Sequence, residues 1–150
     1  MNSKRERRPS EVLKRGYSDA EVENLYALGR FYLENGELGK AKNIMAGLVE
    51  VAPDYYHAWL GLAYIHIYQE NYDQAIFASR QALRANPQSI AALLYQVACL
   101  LCVGDYNAAG TYLGEVGEKI EAGKVDRPEL LRFYKAQLAR YNNRRAQDVA

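Results

Sequence analysis

A chain of 150 residues that is 49% hydrophobic and 25% charged has material for one sizeable core, and no apolar run in it approaches the roughly 20 residues that cross a bilayer. Four prolines and few β-branched residues among many Ala, Leu, Glu, Lys, Arg and Gln give it a helix-rich, all-α composition. The formal charge of +1 hides an asymmetry: residues 1 to 15 hold six Lys or Arg against two Glu, so 13 basic and 16 acidic residues remain in a mildly acidic body.

The opening stretch MNSKRERRPSEVLKRG carries charge without a hydrophobic centre, so it does not read as a signal peptide. Residues 1–16 are expected to form a solvated basic tail, with a short extra helix from Ser10 to Arg15 anchored by Val12 and Leu13. YSDAEV then reads as a helix start. Ser18 is the cap, Glu21 three residues on completes a capping box, and Tyr17 can pack on Val22.

From residue 22 the chain repeats itself every 34 residues, over 22–55, 56–89 and 90–123, without a gap. Position 4 reads Leu25, Trp59 and Leu93; position 8 reads Gly29, Ala63 and Val97; position 20 reads Ala41, Ala75 and Ala109. Small residues at 8 and 20 let two helices approach closely, and the large residue at 4 fills the space between successive pairs. Gly36 and Gly104 fall where a turn needs positive φ, and Pro53 and Pro87 stop the second helix. Glu70 stands in the glycine position of the middle repeat, so that turn is expected to use Asn71. After the third repeat, DRPELLRFYKAQLARYNNRR opens with Asp126 and Pro128 at cap and first-turn positions. Leu130, Leu131, Tyr134, Leu138 and Tyr141 then form one stripe, which makes residues 127–141 a closing helix over the last repeat. Residues 142–150 are expected to fray.

These aligned residues resemble the tetratricopeptide repeat, a pair of antiparallel helices A and B. The resemblance implies three such pairs in a right-handed superhelix over residues 17–141, with a concave groove lined by helix A at positions 2, 5, 9, 12 and 13. In the first repeat those positions are Glu23, Tyr26, Arg30, Leu33 and Glu34; in the second His57, Leu60, Tyr64, Ile67 and Tyr68; in the third Ala91, Leu94, Ala98, Leu101 and Cys102. Helix A of the second repeat, YHAWLGLAYIHIYQE, is apolar almost all round, and IAALLYQVACLLC in the third shows the same excess. A helix exposed on one side should keep a polar face, so the surplus points to a groove that receives an apolar segment.

VENLYALGRFYLENGELGKA, AWLGLAYIHIYQENYDQAI and ACLLCVGDYNAAGTYLGEVGEKI, running into PELLRFY, resemble a narrower group, the class II chaperones of bacterial type III secretion systems. That resemblance covers residues 20 to 138 and implies a cytoplasmic bacterial protein that holds a secreted partner, foremost a hydrophobic translocator, by a short segment in the groove. Needle or other secretion-apparatus subunits, or another protein partner on a generic repeat scaffold, are the alternatives. A weak homodimer through Val12 and Leu13 is also expected.

No catalytic constellation assembles. His57 and His66 are nine residues apart, which puts them on opposite sides of one helix, and the carboxylates are scattered singly. No phosphate loop is present, and no cofactor or metal is expected. The basic clusters KRERR and RYNNRR lie at opposite ends with no basic stripe across the groove, so neither nucleic acid nor stable membrane association is expected. Cys99 and Cys102 have the spacing of a redox pair, but near a helix C-terminus the partial negative charge opposes a thiolate. Cys99 is expected to pack as a small apolar residue and Cys102 to edge the groove.

Overall fold

The computed structural model describes residues 16–149, so the short helix expected at Ser10 to Arg15 and the dimer surface of Val12 and Leu13 lie outside the described residues. Within them the chain forms seven α-helices and no strand: α1 (Asp19–Glu34), α2 (Leu38–Val51), α3 (Tyr56–Tyr68), α4 (Tyr72–Ala85), α5 (Ile90–Val103), α6 (Tyr106–Glu121) and α7 (Pro128–Val149). The pairs α1/α2, α3/α4 and α5/α6 stack in order, and α7 closes the stack against α5 and α6. Side-chain caps set three of the helix starts. Ser18 caps α1 in a capping box: its hydroxyl accepts from the Glu21 N–H at 3.1 Å, and its own N–H donates to Glu21 Oε1 at 3.3 Å. Ser89 and Asp105 cap α5 and α6 through the N–H groups of Ala92 and Ala108.

Each A helix ends in one motif, a left-handed residue at repeat position 15 followed by an N–H that reaches back five residues. Gly36, Glu70 and Gly104 have φ of 77°, 62° and 89°. Glu37, Asn71 and Asp105 then donate to the carbonyls of Tyr32, His66 and Leu100 at 2.9, 2.8 and 2.9 Å. The expectation that Asn71 would make the middle turn is therefore corrected. Asn71 has φ of −90°, and Glu70 itself takes the left-handed conformation, because the five-residue bond fixes which position must turn whatever residue stands there.

The repeated small residues do what close helix approach requires. Ala41, Ala75 and Ala109 are all fully buried, as are Ala63 and Val97, and a Cβ placed on Gly29 would meet Met45 Cε at 3.0 Å and Ile44 Cγ2 at 3.1 Å. Gln96, which holds a position occupied by leucine in the other repeats, is buried yet satisfied. Its Nε2 donates to the Ile76 carbonyl and to Ser79 Oγ, both at 2.7 Å, and so ties α5 to α4.

The closing helix is longer than expected. It runs to Val149, through residues 142–149 that were expected to fray, because Arg, Ala and Gln are good helix formers and no Pro or Gly interrupts them. Its tyrosines also seat in glycine notches of α6: a Cβ on Gly110 would lie 2.8 Å from Tyr141 Oη, and one on Gly117 would lie 2.9 Å from Tyr134 Oη. The two contacts share a seven-residue step in opposite directions along the chain, so α6 and α7 interlock as antiparallel helices.

Candidate functional site: a tyrosine-lined groove

On the A-helix side of the first two repeats a cavity of about 300 Å³ opens between α1, α3 and α5. Tyr26, Arg30, Leu33 and Glu34 line it from α1, His57, Leu60, Gly61 and Tyr64 from α3, and Tyr95 from α5. At one end the rings cluster tightly. His57 lies 5.5 Å from Tyr26, 5.6 Å from Tyr55 and 5.1 Å from Tyr56, and Tyr26 meets Tyr55 edge to face at 5.7 Å. Tyr56 is itself fixed by a hydroxyl contact with Ser89.

The electrostatics are those of a part-buried aromatic wall with a charged mouth. Burial pushes the Tyr95 hydroxyl up to about 12, with Tyr64 and Tyr56 next in effect, so it stays protonated and free to donate. Burial, then Tyr26 and Glu23, also raise the Tyr55 hydroxyl above its ordinary value. At the rim Arg30 Nε donates to Glu34 Oε1 at 3.1 Å, with both side chains about two-thirds exposed. An exposed pair of this kind is worth about 0–1 kcal/mol, so a ligand carboxylate can take Arg30 at little cost.

Seven of the expected groove residues thus converge on one cavity: Tyr26, Arg30, Leu33, Glu34, His57, Leu60 and Tyr64. Ile67 and exposed Tyr68 continue the same side of α3 beyond it, and Ala91 is half-buried at the start of α5. The third repeat is different. Leu94, Ala98 and Leu101 are 0%, 7% and 7% exposed, and none of them lines the cavity between α1, α3 and α5. Leu130, Phe133 and Tyr134 of α7 pack on the cluster that holds Leu94, and Tyr134, Leu138 and Tyr141 on the cluster that holds Leu101. The apolar surplus of α5 is therefore spent on the closing helix, not on a groove.

Cys102 also falls away from the cavity. It is exposed at the end of α5, where its Sγ accepts from Arg140 Nη2 at 3.3 Å and pairs with the Tyr72 hydroxyl, which it holds above the ordinary phenol range. Cys99 is fully buried, and burial raises its thiol to about 12, an inert packed residue.

Two lining residues were not among the expected ones, and both stand at repeat position 6. Gly61 lets α3 lie close on Met45, whose Cε would be 3.3 Å from an added Cβ. Tyr95 is the one phenol in an otherwise aliphatic stretch of α5, and its need for a polar outlet for the hydroxyl is the signal that could have found it.

Comparison with known proteins bears on this geometry. A profile described as tetratricopeptide repeat matches residues 22–55 and 56–89. Residues 22–89 are thus two tandem tetratricopeptide repeats. Residues 90–123 complete a third repeat with the same helical pair, turn and buried alanine. Comparison with curated protein sequences gives no match.

Solved structures of similar fold include a type III secretion complex from Aeromonas hydrophila, with a TM-score of 0.78 and 18% identity over 93% of this chain and 91% of that one. The Yersinia enterocolitica type III secretion chaperone SycD, in complex with a peptide of the translocator YopD, aligns with a TM-score of 0.75 and 19% identity over 87% of this chain and 97% of that one. PcrH of Pseudomonas aeruginosa, in complex with the chaperone binding region of PopD, aligns with a TM-score of 0.74 and 20% identity over 89% and 97%. The three tandem repeats with their closing helix are thus a tetratricopeptide architecture shared with these proteins. Among the described residues no helix is long and apolar enough to cross a membrane.

Proposed function

We propose that the protein is a cytoplasmic, non-enzymatic chaperone that holds a type III secretion substrate, a hydrophobic translocator, by one extended segment in the tyrosine-lined groove. The observation that carries this reading is the cavity of about 300 Å³ between α1, α3 and α5, where exposed Tyr64 and half-buried Leu60 and Tyr26 present apolar area beside their phenol hydroxyls. Tyrosine suits such a wall because its ring packs on apolar side chains while its hydroxyl meets the backbone of an extended chain. The likeness in fold to SycD and PcrH, which are solved with segments of YopD and PopD, supports the same use of the fold here.

Holding one apolar segment serves the producing cell physically, because a membrane-active protein left alone exposes surface that aggregates. No bond is made or broken in this activity, and the binding free energy comes from buried apolar area and a few groove hydrogen bonds. The test is coexpression with a hydrophobic translocator from the same genome. The translocator is expected in the soluble fraction and to copurify at a fixed ratio when this chain is present, and in aggregates when it is absent. A translocator equally soluble without this chain would refute the proposal.

A further inference from the structure

The far end of the molecule holds a second cleft with different chemistry. It has a volume of about 310 Å³ and lies between the α5/α6 corner, which contributes Leu101 and Tyr106, and the last turns of α7, which contribute Arg140, Asn143, Arg144 and Gln147. The four α7 residues stand at i, i+3, i+4 and i+7, so they form one face of the helix. That face exists only because α7 continues beyond Tyr141.

Both guanidinium groups are held in place by neutral partners. Arg140 Nη1 donates to Gln137 Oε1 at 2.9 Å and its Nη2 to Cys102 Sγ at 3.3 Å, while the Arg144 guanidinium sits 5.4 Å over the Tyr106 ring. Sulfur is a weak acceptor, and no carboxylate is among the residues described as lining the cleft. Two oriented guanidinium groups without a carboxylate partner among the described residues are ready donors to an incoming carboxylate, since an Arg–carboxylate bond is roughly twice as strong as a neutral hydrogen bond.

We propose that this cleft is a second protein-binding site, which takes an acidic side chain of a partner segment between Arg140 and Arg144 while an adjoining apolar residue rests on Leu101 and Tyr106. The apolar wall and the two amides, Asn143 and Gln147, suit a peptide. A nucleic acid would need a longer basic track than two side chains supply. The site shares no residue with the tyrosine groove and stands or falls apart from it.

The test follows backbone amide shifts of the full chain during titration with N-acetyl-Leu-Glu-Glu-Leu-amide, with N-acetyl-Leu-Gln-Gln-Leu-amide, and with inorganic phosphate. The acidic peptide is expected to shift the amides of 101–106 and 140–147 saturably, and the affinity to fall at least tenfold in an Arg140→Gln, Arg144→Gln double variant and be unchanged in Arg80→Gln on α4. All these arginines are exposed, so helicity is expected to persist in each variant. No saturable shift, equal affinity for the glutamine peptide, or the same shifts from phosphate at comparable affinity would each overturn the proposal.

Discussion

Glu70 holds a left-handed backbone at φ 62° that costs an L-residue roughly 1–2 kcal/mol and that glycine adopts freely in the two sister turns. Replacing it with glycine relieves that strain but adds freedom to the unfolded chain, so Glu70→Gly is expected to raise stability by about 0.5–1 kcal/mol, read as a higher urea midpoint. His66 makes a second argument at this scale. It is 9% exposed, its Nδ1 is buried without a partner, and burial, then Lys42, hold its pKa below the ordinary 6.5. The folded state therefore keeps the imidazole neutral where the unfolded chain takes up a proton. Its contribution is complete above pH 6.5 and is lost as pH falls from there toward the depressed folded value. His66→Phe is expected to flatten that part of the stability profile, measured by denaturant unfolding across pH 5 to 8; an unaltered slope would contradict the assignment.

Elements in this molecule are matched by what is missing from them as much as by what they carry. Gly110 and Gly117 leave notches that Tyr141 and Tyr134 fill, so Gly110→Val is expected to force α7 outward and cost about 1–3 kcal/mol despite the better helix propensity of valine, checked by urea unfolding. The helical pairs and their small contact residues are legible in the sequence because they recur every 34 residues, and the capping box of Ser18 and Glu21 because it is a local motif of four residues. The turn at Glu70 was not, since residue type alone pointed to Asn71 while the register of the five-residue hydrogen bond decided the position. Nor was the end of α7, where residues 142–149 carry no apolar stripe and helix propensity alone extends the helix.

At the scale of the whole molecule the apolar surplus of α3 and α5 has two destinations. On α3 it leaves Leu60 and Tyr64 at an open cavity, and on α5 it meets the closing helix. The sequence shows the surplus but not which face α7 covers, because that depends on packing between elements some 40 residues apart, and this is why Leu94, Ala98 and Leu101 were assigned to the groove. Tyr95 and Gly61 escaped for the complementary reason, standing one position away from the expected lining. The proposed activity is capture of an extended apolar segment in the groove between α1, α3 and α5. Calorimetric titration of the chain with the bound segment of its copurifying translocator, in wild type and in Tyr64→Ala, tests it most directly. Tyr64 is 43% exposed, so the fold should not depend on it, and the account predicts at least a tenfold loss of affinity with unchanged helicity. Equal affinity in both proteins would contradict it.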